Sequence, residues 1–219
     1  MARARIGEAD KPRPTYAVEA DKPRPTYAAE ADKPRPPYAV VRKFPHSSSS
    51  RDINRPASLA GELEKRGIDS HDLLHVRSFL DHNRPYTWLG ASARGSRTGE
   101  SAGAFVYRGA LLEADEMEET LVRHLRRWTP YIGRFGLLVL ELHTLPPATA
   151  AGSLDRTPAI AYDATHGYSD QYLVEASVFL RCAREAGLIA DERCAAEFPT
   201  PELATVPLNF STAARTAEA

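Results

Sequence analysis

The stretch from Phe135 to His143 reads FGLLVLELH. A near-continuous apolar run that ends on a polar residue is the pattern of a strand covered by helices on both faces, because a half-buried strand would alternate. It is read as the central strand of an open α/β sheet. Just before it, Met117, Leu121, Leu125 and Trp128 fall on one stripe of a helix predicted over Glu113–Trp128. Acids occupy its first turns and Arg123, Arg126 and Arg127 its last, as the helix dipole favours. Farther upstream DLLHVRSFL, Asp72–Leu80, reads as a second buried strand that breaks at Asp81, His82, Asn83, Arg84 and Pro85. Downstream, Leu173, Ala176, Leu180 and Ala183 repeat at helical spacing, with Ser169 as N-cap and Gly187 as stop. The intervening YDATHGYSDQY is read as a loop.

The flanks complete an α/β alternation of strands and crossover helices. A short helix is predicted from Pro56, with Leu59 and Leu63 one turn apart and Gly67 closing it in a left-handed conformation. Trp88–Gly103 is rich in Gly, Ser and Arg and reads as a mobile loop, and FVYRGALL from Phe105 as a short strand or hairpin arm. Phe198 and the run Ala204–Phe210 suggest a final hairpin, with Pro207 placing its strand at a sheet edge and residues 211–219 as a frayed tail.

The first 51 residues have another texture. EADKPRPTYAV from Glu8, EADKPRPTYAA from Glu19 and EADKPRPPYAV from Glu30 repeat with a period of 11 and hold seven of the 17 prolines, so an extended, solvated, disordered arm is expected. Its role is read as a linker, with the single PxxP of Pro34 and Pro37 offering a polyproline-type ligand as the other reading. Ser47–Ser50 ends the arm. With 28 basic against 29 acidic side chains, no global field recruits nucleic acid or an anionic membrane. Two cysteines, Cys182 and Cys194, make no disulfide framework, and no apolar run reaches membrane-spanning length, so a cytoplasmic protein is expected.

In an open α/β sheet the ligand sits beyond the carboxyl ends of the strands. Three clusters fall there: Asp52 with Asn54; Asp81, His82, Asn83 and Arg84; and His143 with Asp163, His166, Ser169, Asp170 and Gln171. Histidines beside carboxylates offer a general base near neutral pH. His82 and His143 are read as functional because each follows a buried strand. Asp52 serves equally to cap or orient the helix from Pro56 and Asp170 to complement the next helix dipole, while His166 before Gly167 reads as a turn residue and His124 among arginines as a solvated side chain. Without a GxSxG elbow Ser169 is no nucleophile, and without HExxH or close ligand spacing no metal site is expected.

Four phrases resemble class I S-adenosylmethionine-dependent methyltransferases, and among them the AprA-type methyltransferase domains of polyketide synthase loading modules and their free-standing relatives. They are DINRP at Asp52, LLHVRSFLDHNRPY at Leu73, GLLVLELHTL at Gly136 and YDATHGYSDQYLVE at Tyr162. The resemblance covers residues 52–210 and implies a Rossmann-like sheet of seven strands, S-adenosylmethionine as methyl donor and a small acyl acceptor, on a carrier protein. It implies that Asp52, with Asn54, contacts the adenosine, and that Asp81 and His82 border the methyl. The base it implies is His143 or His166, oriented by Asp170 or Glu175. One departure stands out. The Gly-rich turn that opens such folds is absent, since residues 1–51 contain only Gly7, and HSSSSR takes the place of a strand before DINRP. The first strands are therefore expected to be missing. Either a partner chain supplies that half of the fold, or the chain is an inactive fragment acting as a binding module.

Overall fold

The computed structural model of the chain describes residues 53–87 and 98–214. The repeats, the Ser-rich linker, Asp52, residues 88–97 and residues 215–219 lie outside the described residues, as do the expectations placed on them. The apolar run is a strand, β4 (Leu137–Leu140), at the middle of the main sheet. On one side it pairs in parallel with β1 (His75–Ser78) and on the other antiparallel with β7 (Val206–Ala213). The far edge of β7 carries β5 (Leu188–Ala190) and β6 (Ala196–Phe198), both antiparallel to it. Four strands thus run one way and β7 alone runs back.

The mixed α/β class is as expected, and the final hairpin forms between β6 and β7. Seven strands were implied; the described residues place five in this sheet, with β2 (Val106–Tyr107) and β3 (Ala110–Leu111) forming a separate hairpin. Its two-residue turn, Arg108 at φ 50° and Gly109 at φ 81°, has the left-handed pair that matches strand twist. Two details of the last strand differ from the reading. Pro207 sits in an inner strand, buried, opposite the end of β4, where its carbonyl accepts from Glu141 N–H (3.3 Å). The ring has no N–H to return, so that pair makes one bond instead of two, while the next, His143 N–H to Thr205 O (2.8 Å), is made. β7 also continues to Ala213, past the tail boundary drawn at Phe210.

One face of the sheet is covered by α2 (Ala114–Trp128) and α5 (Ala176–Glu185), and the core lies in that layer. Met117, Leu121, Leu125 and Trp128 of α2 are buried against Leu137 and Val139 of β4 and Phe179 of α5, each side chain contributing about 1.5–3 kcal/mol of transfer free energy. α1 (Pro56–Glu64) begins on Pro56, ends before Gly67 at φ 71°, and closes with Gly67 N–H on Glu64 O and Ile68 N–H on Leu63 O. No helix among the described residues is long and apolar enough to cross a membrane.

After α3 (Pro147–Ala151), the stretch read as a loop contains a helix, α4 (Ala159–Tyr168). Its residues, AIAYDATHGY, are small and polar, and only Ala159 and Gly167 are buried, so no apolar stripe announces it. Ser169 closes α4, its Oγ donating to Thr165 O (2.9 Å), and does not open α5; Glu175 stands at that N-cap.

Candidate functional site

Because β1 and β4 run parallel in register, their carboxyl ends lie side by side. Inward positions alternate along β4, so Glu141 follows Leu137 and Val139 into the buried layer. Phe79, at φ 54°, turns the chain after β1 so that Asp81 and His82 meet it. Glu141 Oε2 accepts Asp81 N–H (2.5 Å) and His82 N–H (3.3 Å), while Oε1 accepts Leu142 N–H (2.8 Å) and His82 Nδ1–H (2.5 Å). One carboxylate therefore fixes the backbone and the ring of His82, and a proton held at Nδ1 leaves Nε2 as the basic nitrogen. His166 of α4 stands edge-to-face on the His82 ring at 5.3 Å, with its own Nδ1 donating to Tyr162 O (2.7 Å).

Asp81 belongs to a second network. Its Oδ1 takes Arg77 Nη1 (2.6 Å) and His124 Nε2 (2.9 Å), and its carbonyl takes Arg84 Nη1 (2.9 Å). Burial alone would raise its carboxyl, but Arg77, the His124 hydrogen bond and Arg84 hold it below the ordinary carboxylate value. Burial pushes the Arg84 guanidinium down to about 10 and lowers His124, with Asp81 opposing both shifts. His124 is thus a buried member of a charge network and not a solvated side chain.

The other sequence candidates make their hydrogen bonds elsewhere, although His143 lies close enough to feel the charges of Glu141 and Asp81. His143 is buried, its Nδ1 donating to Val174 O (3.0 Å) and its ring against Phe179, and burial lowers its pKa. Glu175 accepts Ser101 Oγ–H (2.6 Å) and Ala102 N–H (2.9 Å), and Glu118 accepts the N–H groups of Glu100 and Ser101, so the described end of the predicted mobile loop is anchored. Asp170, exposed at φ 55°, accepts Arg108 N–H (3.1 Å). Asp163 takes Thr144 Oγ–H (2.6 Å); burial raises its pKa, and it lines an open cleft of about 580 Å³ with Arg108, Tyr168 and Asp170. Neither Asp170 nor Glu175 is bonded to His143 or His166. Among the histidines expected at the site, the one that meets a carboxylate is His82, and its partner is Glu141, a residue the sequence reading passed over although its alternation with Leu137 and Val139 marked it as inward-facing.

Of the residues expected to hold S-adenosylmethionine, Asp52 lies outside the described residues and Asp81 is enclosed by Arg77 and His124. Asn54 lines a cleft of about 610 Å³ with Arg55, Arg127 and Tyr131. An adenosyl group needs an accessible carboxylate for its ribose hydroxyls and a Gly-rich backbone approach for its methionine portion. The described residues do not by themselves fit it. Nor do they gather three or more His, Cys, Asp or Glu side chains in a group that could hold a metal ion.

Strands ending together under a covering helical layer make a mixed α/β domain that fits a methyltransferase-like fold. Residues 39–209 match the AprA MT2-like domain, and the chain belongs to that family. No curated protein matches the chain by sequence.

Proposed function

We propose that this domain removes a proton from a small acyl acceptor ahead of methyl transfer, with His82 as the base. The observation that carries this reading is the Glu141 carboxylate, which takes both the Nδ1 proton and the backbone N–H of His82. Methylation of an acyl carbon requires that carbon to lose its proton, so that the electron pair left behind can attack the methyl group. With its own proton held at Nδ1, the imidazole keeps a lone pair on Nε2 to accept the proton of the acyl carbon, and the Glu141 carboxylate is placed to stabilise the imidazolium that forms. His82 is preferred to His143 and His166 because each of those gives its Nδ1 proton to a neutral backbone carbonyl.

S-adenosylmethionine is the donor that family membership suggests, and it supplies an electrophilic methyl group when bound. Since the described residues do not form its cradle, the reading assigns them the acceptor half of the chemistry. The acceptor belongs to the same proposal, as a small acyl thioester borne by a carrier protein, and so does a cytoplasmic setting, which suits two free cysteines. The test needs no donor. The full chain is incubated with an acyl thioester in D2O, and deuterium entering the α-carbon is followed by mass spectrometry. Incorporation lost in His82→Ala supports the reading, and exchange that survives it removes His82 as base.

The enclosure of Asp81 and the missing Gly-rich turn favour a second reading, an inactive methyltransferase-like fragment that acts as a binding module. Calorimetric titration with S-adenosylhomocysteine separates the two. Saturable one-site heat means that residues beyond the described ones complete the pocket, whereas a folded chain giving no heat and no acceptor exchange is the fragment.

A further inference from the structure

The side chain of His82 is only 10 % exposed. A base takes a proton only from an acceptor that comes within hydrogen-bond reach of its free nitrogen, so an element covering the ring has to move aside. Among the described residues two elements meet that ring, the end of β4 through Glu141 and α4 through His166. β4 is paired with β1 on one side and β7 on the other, and it cannot move without breaking both ladders. The segment that carries α4 is held differently. At one end Ala159 is fully buried in a small apolar cluster with Leu145, Ala150 and Leu203. At the other end Tyr172 is buried in the main core, and its N–H donates to His82 O (2.8 Å). Between these anchors Gly167 is the only buried residue, and it has no side chain to pack. Ile160 and Tyr168 face solvent, 51 % and 94 % exposed. Polar contacts hold the segment down: Thr144 Oγ–H on Asp163 (2.6 Å), the His166 ring on His82, Arg108 N–H on Asp170 (3.1 Å) and Gln171 Nε2–H on Asn83 Oδ1 (3.2 Å). Water can replace each of these hydrogen bonds, and little apolar area is exposed when they part, which is the character of an element that opens locally while the rest stays folded.

We propose, on the reading of His82 as the base, that residues 160–171 are a lid over it, hinged at Ala159 and Tyr172 and latched by Asp163 on Thr144, which lifts to admit the acceptor and closes over it. The latch sits where it controls the site. Thr144 follows the end of β4 and His82 follows the end of β1, so Asp163 and His166, three residues apart on one side of α4, pin the helix across both strand ends. Closure returns the His166 ring to His82 and shuts water out of the space around it, which strengthens the hold of Glu141 on the ring. Neither α2 nor α5 could serve, because Met117, Leu121, Leu125, Val178 and Phe179 would leave the core with them.

The experiment is amide hydrogen–deuterium exchange of the full chain, read peptide by peptide by mass spectrometry across a series of urea concentrations below the unfolding transition. The amides of α4 are expected to exchange roughly a hundredfold faster than those of α2, with little dependence on urea, because a local opening exposes little surface. Asp163→Ala removes the latch and should speed exchange in α4 about tenfold further, while α2 and α5 keep their rates. The same variant should raise the rate at which diethyl pyrocarbonate modifies His82, in step with the exchange of α4. An α4 that exchanges as slowly as α2 and shares its urea dependence opens only with the whole fold, and overturns the proposal. So does an Asp163→Ala chain in which α4 is unchanged or α2 rises with it, or in which His82 is modified no faster than in the wild type. These measurements involve no proton removal from an acceptor, so they fail separately from the reading of His82 as base, which deuterium incorporation into the acyl thioester tests.

Discussion

His82 and Glu141 lie 59 residues apart in sequence, and their side chains meet at 2.5 Å across the ends of two parallel strands. The same carboxylate holds the His82 backbone, so ring and main chain are positioned by one residue. If His82 is the base, His82→Ala should lower α-carbon deuterium exchange by the ~10²–10⁴-fold that a general base supplies. Glu141→Gln removes a charge-assisted hydrogen bond of roughly 1.5–3 kcal/mol, which corresponds to about ten- to a hundredfold in rate. Equal rates in wild type and Glu141→Gln would show that the carboxylate only holds the loop.

Asp81, the residue before that histidine, is expected to act through stability. Its carboxylate joins Arg77 of β1 to His124 of α2, both buried. Removing one partner of a buried pair strands the other charge, at a loss of about 3–5 kcal/mol. Asp81→Ala should therefore lower the urea midpoint of unfolding strongly, with Asp81→Asn between it and the wild type. A midpoint unchanged in Asp81→Ala would mean that the network contributes nothing to folding.

What the sequence made legible follows from how each residue is buried. β4 and α2 were readable because their apolar residues repeat with the period of the element that buries them. His124 carried the same signal, three residues after Leu121 and four before Trp128 on the buried stripe, but its arginine neighbours suggested a wet face. Arg77 and Glu141 occupy inward strand positions, yet charged residues inside a sheet are legible only once their partners are known, and those partners come from other elements. α4 was invisible because so little of it is apolar and buried. At the site, His82 was chosen from its place after a strand, while its carboxylate partner required the register of β1 against β4.

Two buried histidines set the response to mild acid. Burial holds His124 and His143 below the ordinary histidine value, so both are neutral in the fold and take up protons more readily once unfolded. Their contribution is present above the unfolded value of about 6.5 and is lost as pH falls below it. Tm should therefore decline between pH 7 and pH 5, before Asp81, whose carboxyl is held low, is protonated. His143→Phe, which keeps a ring against Phe179, should flatten that decline. A Tm constant from pH 7 to pH 5 in the wild type would contradict the neutral assignment. Exposed His71 works the other way: Asp69 raises it, so its contribution is present below the unfolded value and is lost as pH rises through the folded one.

Gly136 offers a test of how β4 is seated between its neighbours. It enters the strand at φ 75°, a conformation that side chains adopt only with strain, and its carbonyl accepts His75 N–H at the start of β1 (3.0 Å). A Cβ there would stand 2.6 Å from the Phe210 ring and 2.7 Å from Ser211 O, so β7 would have to move away from β4. Gly136→Ala combines the φ penalty of about 1 kcal/mol with that steric displacement, and an unfolding free energy lower by roughly 2 kcal/mol or more is expected. Gly109→Ala separates the two effects. It has a similar φ of 81° but nothing within 4 Å of an added Cβ, so it should lose only the conformational part. Equal losses in the two variants would show that the contact of β4 with Phe210 has room to yield.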